Sequence, residues 1–173
     1  TAPAAVIPVP NNAGGGTEGP IEDFPEEEFD WTVDFVVKST FFVSQYVGRH
    51  MITRKAGSII NMGSQAGAIA LPGEAIYCLS KAAVSHMTKC FAVEWGQHNI
   101  RVNCVAPTFF RTDGTAEALG NPAFKADVIE RIAALHRIGE PHEVSGVVAF
   151  LASDAASMVT GHTLLIDGGW TAR

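Results

Sequence analysis

Positive charge is scarce in this sequence. Its 173 residues carry 12 Lys and Arg against 18 Asp and Glu, a formal net charge of −6. Phosphate backbones need a basic surface, so this balance argues against a nucleic-acid partner, although a local basic pocket for one small phosphate is compatible with it. Cysteine is scarce too. Cys78, Cys90 and Cys104 form an odd set without a C-x-x-C, each in an apolar context. That argues against a disulfide framework and for free buried thiols in a reducing cytosol, hence a cytoplasmic protein. No apolar run approaches the ~20 residues that span a bilayer, so no membrane partner is expected. The opening TAPAAVIPVP lacks the basic start of a signal peptide. The six histidines show no H-x-x-x-H spacing, and the acids from Glu22 to Asp30 read as a solvated complement to a helix dipole. No metal is assigned.

What is present is a globular composition, 47% apolar and 17% charged. With no internal repeat, low-complexity tract or linker, residues 1–173 read as a single domain. Pro25 and three glutamates open a helix over roughly 26–54; Arg49, His50, Arg54 and Lys55 close it, and Gly57 is its stop signal. SIINMGS is a short buried strand, and QAGAIALPGE a loop. Residues 75–98 have helical periodicity, with Ala82, Ala83, Met87 and Phe91 on the packed face. IRVNCVAP is a second buried strand stopped by Pro107, and a polar loop follows. Residues 121–139 form a helix capped by Asn121, 140–154 another, and HTLLIDGG a closing strand. Apolar strands alternating with helices define an α/β domain with a parallel sheet covered on both faces.

The stretch NNAGGGTEGP (11–20) satisfies G-x-G-x-x-G, the spacing of a dinucleotide phosphate turn. Such a turn follows a clean strand and opens directly into a helix. Here prolines precede it, Glu18 sits inside it and Pro20 ends it. The match is read as coincidence.

Two features carry chemistry. Tyr77 and Lys81 are four residues apart at a helix start and share a face. A free phenol titrates near ~10, a nearby cation lowers that value, and a helix N-terminus acts in the same direction. The pair suits proton exchange with an alcohol or carbonyl. Ser64 lies just past the C-terminal end of a buried strand, where open α/β sheets bind ligands, and its hydroxyl suits a reacting oxygen. NMGSQAG also invites a serine-hydrolase reading, but position 62 is Met and G-x-S-x-G fails.

From Asn11 to Arg173 the sequence resembles the short-chain dehydrogenases/reductases. NNAG (11–14) is similar to that family's turn after its fourth strand, and IINMGS to its fifth strand with Ser64. YCLSK supplies Y-x-x-x-K as Tyr77 and Lys81. IRVNCVAPTFFRT resembles the sixth strand and nicotinamide-side loop, and residues 137–170 resemble the C-terminal run. The resemblance implies a Rossmann-like three-layer fold and hydride transfer between NAD or NADP and a secondary alcohol or ketone. Ser64, Tyr77 and Lys81 would be catalytic. Asn11, Ala13, Gly14, Tyr77, Lys81, Pro107, Thr108 and Thr112 would bind the cofactor. A homodimer or homotetramer built on the two long helices is implied as well. The alternative is a catalytically inactive fragment acting only as a folding and dimerisation unit.

Three departures from the family set further expectations. Only ten residues precede NNAG, so the first strand–helix units are expected to be missing, and TAPAAVIPVP to be a damaged fourth strand because Pro8 and Pro10 remove ladder donors. A sheet edge is then expected beside SIINMGS. Val36 stands where the family's helix carries an asparagine that holds a relay water. Pro107-Thr108 replaces Pro-Gly, and threonine tolerates positive φ badly, so a local difference is expected.

Overall fold

The computed structural model describes residues 8–12 and 15–172. Four strands, β1 (Pro8–Asn11), β2 (Gly57–Met62), β3 (Ile100–Pro107) and β4 (Thr163–Ile166), pair in that order, each parallel to the next. The expectation of a bare edge beside SIINMGS is corrected, because β1 pairs there, with Val9 opposite Ile59 and Asn11 opposite Asn61. Pro8 and Pro10 fall on alternate positions, so their missing donors lie along one side of the strand and the other side keeps its N–H groups. An edge strand tolerates that arrangement.

The long helix spans the expected range in three pieces: α1 (Glu26–Thr32), a π-helical segment (Val33–Lys38) and α2 (Ser39–Arg54). The widened segment has a sequence cause. Ser39 Oγ donates to the Phe35 carbonyl, and Thr40 Oγ1 to the Val36 carbonyl at 2.7 Å. Hydroxyls bonding back four residues compete with the backbone ladder and loosen it. The stop at Gly57 is corrected. Lys55 takes the left-handed position at φ 51°, while Gly57 opens β2 at a place where a Cβ would collide with Met51.

On one face of the sheet α2 and α3 (Ala75–Trp95) bury Met51, Phe91 and Ala92 against Ile59, Ile100 and Val102. The expected packed face of α3 holds at Phe91 and, partly buried against the same cluster, at Met87, and is corrected at Ala82. Ala82 is exposed, and Ser80, Lys81, Val84, Thr88 and Phe91 face inward. Thr88 Oγ1 satisfies itself on the Val84 carbonyl at 2.9 Å, which makes its burial tolerable.

Beyond β3 the structure adds a helix that the sequence did not announce, α4 (Asp113–Gly120), opened by a reciprocal Thr112–Thr115 capping box. Next comes α5 (Pro122–Arg131), capped by Asn121, whose Oδ1 accepts from Ala123 N at 3.0 Å and Phe124 N at 3.2 Å. It ends at Arg131, eight residues short of the expected 139. Ala134 and Leu135 donate to the Gly168 carbonyl, and His136 sits at φ 47°, so tertiary bonds replace the helical ladder. On the second face α6 (Pro141–Ala152) buries Leu151 against Ile60 and Val105. Helices on both faces make the three layers. A satellite cluster of Val128, Ile132, Ile138 and Trp170 lies under α4 and α5, with Leu71, Phe109 and Leu119 packed on it.

The expectation of strands apolar throughout is corrected. Asn61 and Asn103 are fully buried. Asn11 Nδ2 donates to Ser44 Oγ (2.9 Å) and Asn61 Oδ1 (3.1 Å), and Asn61 Nδ2 donates to Thr88 Oγ1 (2.9 Å). This chain ties α2, β1, β2 and α3 together.

Candidate active site

A cavity of about 880 Å³ opens at the carboxyl ends of the strands. Its floor is Asn12 after β1, Met62 to Gln65 at the end of β2, and Pro107 to Phe110 at the end of β3. Ligands bind at this end of open parallel sheets because loops there diverge from a rigid base.

Ser64, Tyr77 and Lys81 meet in this cavity. Ser64 is extended (φ −162°, ψ 156°) and nearly buried, and it caps the short turn Gln65–Gly67. Its Oγ accepts from Ala66 N at 3.1 Å and donates to Gln65 Oε1 at 3.0 Å. Gln65, itself buried, opens the loop 65–76 that sequence reasoning places along the pocket, although nothing in the sequence marked its bond to the serine. Tyr77 and Lys81 lie one turn apart on α3, with the Lys81 ammonium 5.7 Å from the Tyr77 ring centroid. Lys81 is 1% exposed, and its Nζ donates to the Met62 carbonyl at 3.0 Å. Burial pulls its pKa down to about 8, opposed by the neighbouring Cys104 thiol.

The phenol departs from expectation. Burial pushes the Tyr77 hydroxyl above its ordinary value; hydrogen bonding with Ser64 acts in the lowering direction, and the Glu74 charge raises it further. Desolvation of the phenolate outweighs the expected help from lysine and helix dipole.

The expected cofactor residues divide. Pro107, Thr108 and Thr112 line the cavity with Tyr77 and Lys81. Thr108 adopts no positive φ, so threonine fits the loop without the expected strain. Its Oγ1 is buried without a hydrogen-bond partner, a polar atom left for a ligand. Asn11 does not line the cavity; its amide is spent on Ser44 and Asn61, and Asn12 is the residue that faces in. Ala13 and Gly14 lie outside the described residues. Val36 is fully buried against Val84 and Cys104. Glu74 and Thr115 also line the walls, from the stretches 65–76 and 109–125 that sequence reasoning places along the pocket, as do Glu18 and Ser145, which it did not mark. The described part of the glycine segment is engaged within the protein: Gly16 packs on Tyr77, Gly19 N donates to the Gly73 carbonyl at 2.9 Å, and among the described residues the first α-helix opens at Glu26.

Parallel sheet, flanking helices and a cavity at the strand ends define a Rossmann-like α/β/α domain. Residues 8–171 match a protein family described as enoyl-(acyl carrier protein) reductase. The chain belongs to the short-chain dehydrogenases/reductases. It is 42% identical over 166 residues to the NAD-dependent glycerol dehydrogenase of Listeria innocua, covering 94% of this chain and 63% of that protein. It is 38% identical over 161 residues to the gluconate 5-dehydrogenase of Gluconobacter oxydans, covering 93% and 62%. Among solved structures it is similar to a gluconate 5-dehydrogenase from Burkholderia cenocepacia in complex with NADP and tartrate. That match has a TM-score of 0.93 and 33% identity, and covers 99% of this chain and 67% of that one. The chain thus spans less than two thirds of the length of these curated relatives.

Proposed function

We propose that the protein is an NAD(P)-dependent oxidoreductase that interconverts a secondary alcohol and a ketone at Ser64, Tyr77 and Lys81. The observation that carries this reading is the meeting of those three side chains in one cavity, with Tyr77 and Lys81 one turn apart on α3 and the Lys81 ammonium 5.7 Å from the Tyr77 ring centroid. The cavity also suits a nicotinamide. The unsatisfied Thr108 Oγ1, with Pro107 and Thr112, would receive its carboxamide side, and Lys81 its ribose. When bound, the nicotinamide supplies or accepts the hydride. The chain's own groups handle the proton and the oxygen. Tyr77, kept protonated by burial, donates to the carbonyl oxygen as it becomes an alkoxide, and takes the proton back in oxidation. Ser64, anchored as an acceptor by Ala66 N, turns its one O–H from Gln65 Oε1 to that oxygen. Lys81 places a cation beside the phenolate that proton donation leaves behind.

Reduced-nicotinamide absorbance, followed with NAD and NADP over a panel of secondary alcohols and ketones, tests this. Tyr77→Phe should lower turnover by about 10²–10⁴-fold with its fold intact. Turnover unchanged in that variant refutes the assignment.

Two further readings belong here. Trp31, Phe35, Phe42, Tyr46 and, on α3, Val93 are between 41% and 83% exposed. Such apolar exposure on the long helices supports a homodimer or homotetramer packed through them, burying one patch against its own copy. Tyr46→Glu should lower the sedimenting mass; a wild-type monomer would refute it. The free cysteines, Cys90 exposed among them, support a cytoplasmic location. Among the described residues no helix is long and apolar enough to cross a membrane.

A further inference from the structure

The relatives named above act on both neutral and anionic polyhydroxy compounds, one on glycerol and one on gluconate. The walls of the cavity bear on that difference. Among the described residues its charged side chains are Glu18, Glu74 and Lys81. Lys81 is committed to the Met62 carbonyl and the Tyr77 ring, at the inner end. The two acids are held together by the backbone. Gly19 N bonds the Gly73 carbonyl at 2.9 Å, which pins the residue after Glu18 to the residue before Glu74. Glu74 is in turn the N-cap of α3, one turn ahead of Tyr77.

Charge effects trace the same line. Burial raises the Glu74 pKa, and Glu18 raises it further; Glu74 acts in the same way on Tyr77. Among the described residues neither glutamate has an ion-pair partner. Arg111 and Arg137, near in sequence to the cavity lining, are taken up by Glu140 at 3.0 Å and Glu143 at 2.6 Å. The remaining polar lining, including Gln65, Thr112 and Ser145, is neutral.

We propose that Glu18 and Glu74 are the specificity-determining pair of this site, accepting hydroxyls of a neutral polyol or ketose and excluding substrates that carry a carboxylate. The inference rests on the oxidoreductase reading given above. An ionised carboxylate only accepts hydrogen bonds, and a substrate with adjacent hydroxyls offers the matching donors. Bonds to a charged acceptor are the stronger kind. A sugar acid entering the same space brings a third negative charge and, among the described residues of the lining, meets no guanidinium to pair it. Repulsion of this sort is how a site rejects a close analogue.

The test uses matched pairs that differ in one carbon's oxidation state: D-glucitol against D-gluconate, and glycerol against glycerate. Binding is measured by calorimetry and saturation-transfer NMR, each with NAD and with NADP, at low and high salt. The neutral member of a pair should bind at least about tenfold more tightly, and added salt should narrow the gap. Glu18→Gln and Glu74→Gln should each narrow it about tenfold, chiefly by admitting the acid, with thermal stability unchanged. Equal or tighter binding of the acids, a preference untouched by both glutamine variants, or binding of neither pair overturns the proposal. Hydride transfer is scored separately. Selective polyol binding without turnover would count against the oxidoreductase reading alone, and turnover of acids and polyols alike against the selectivity alone.

Discussion

Gly67→Ala is the sharpest probe of how the site is held. A Cβ at position 67 would lie 2.8 Å from the backbone carbon and oxygen of Lys81 and 3.0 Å from Ala82 N. Carbon contacts are optimal at roughly 3.5–4.0 Å, so the turn and α3 must separate by about 0.5–1 Å. The obstacle is helix backbone, so no side-chain rotation relieves it. Overpacking of this kind costs about 1–3 kcal/mol. For a chain of this size each kcal/mol moves Tm by about 2–4 °C, so a fall of about 2–12 °C is expected. The strain also falls on the site, because Ser64 caps the turn that must move while Tyr77 and Lys81 ride on the helix. Misplacing a reacting group by about 1 Å can cost about 10²-fold in rate.

Thermal unfolding by circular dichroism, with turnover measured below both transitions, separates the two effects. Gly146→Ala is the control: it lies in α6 with nothing within 4 Å of its added Cβ, and alanine there should stabilise slightly. A Gly67→Ala protein that melts within about 1 °C of wild type and turns over normally would show that the 65–67 turn does not fix Ser64 against α3.

Three other substitutions test the frame. Asn61→Ala breaks the chain from Asn11 to Thr88 and should cost about 1–3 kcal/mol in denaturant unfolding; an unchanged midpoint would mean that the chain contributes nothing. Leu151→Ala opens a cavity against Ile60 and Val105, and a loss of about 2–5 kcal/mol is expected by the same measurement. Lys81→Met gives a pH signature. The folded pKa is lowered to about 8 from 10.5, so over that window the unfolded chain holds a proton that the folded one has released. Wild-type stability relative to Lys81→Met should therefore rise from about pH 8 to 10.5 and be flat below; a constant difference across that window refutes the burial argument.

The fold was legible where one physical signal dominated. Glutamates at the front of α1 and bases at the end of α2 marked the long helix, and unbroken apolar runs marked β2 and β3. What sequence reasoning missed depends on partners far along the chain. The end of α5 is set by the Gly168 carbonyl, far along the chain, capturing the Ala134 and Leu135 amides. The inner face of α3 also carries a lysine and a threonine, which find acceptors at the Met62 and Val84 carbonyls, and a count of apolar spacings does not mark them. The π segment arises from hydroxyls at Ser39 and Thr40, residues whose usual reading on a helix is neutral.

The same division runs through the candidate site. Ser64, Tyr77 and Lys81 were legible because each follows from local geometry, a strand end and one helical turn. Glu18 and Ser145 were not, because one comes from the connection after β1 and the other from α6, which only the folded sheet brings together. The glycine-rich stretch shows why spacing alone misleads. Gly16 and Gly19 serve close approach, one under the Tyr77 side chain and the other to the Gly73 carbonyl. Both contacts fix the loop that carries Glu18. A spacing that imitates a phosphate turn therefore places Glu18 on the cavity wall, tied through Gly19 to the Gly73–Glu74 corner, and the electrostatic demand it makes of a ligand is the reverse of the one its pattern suggests.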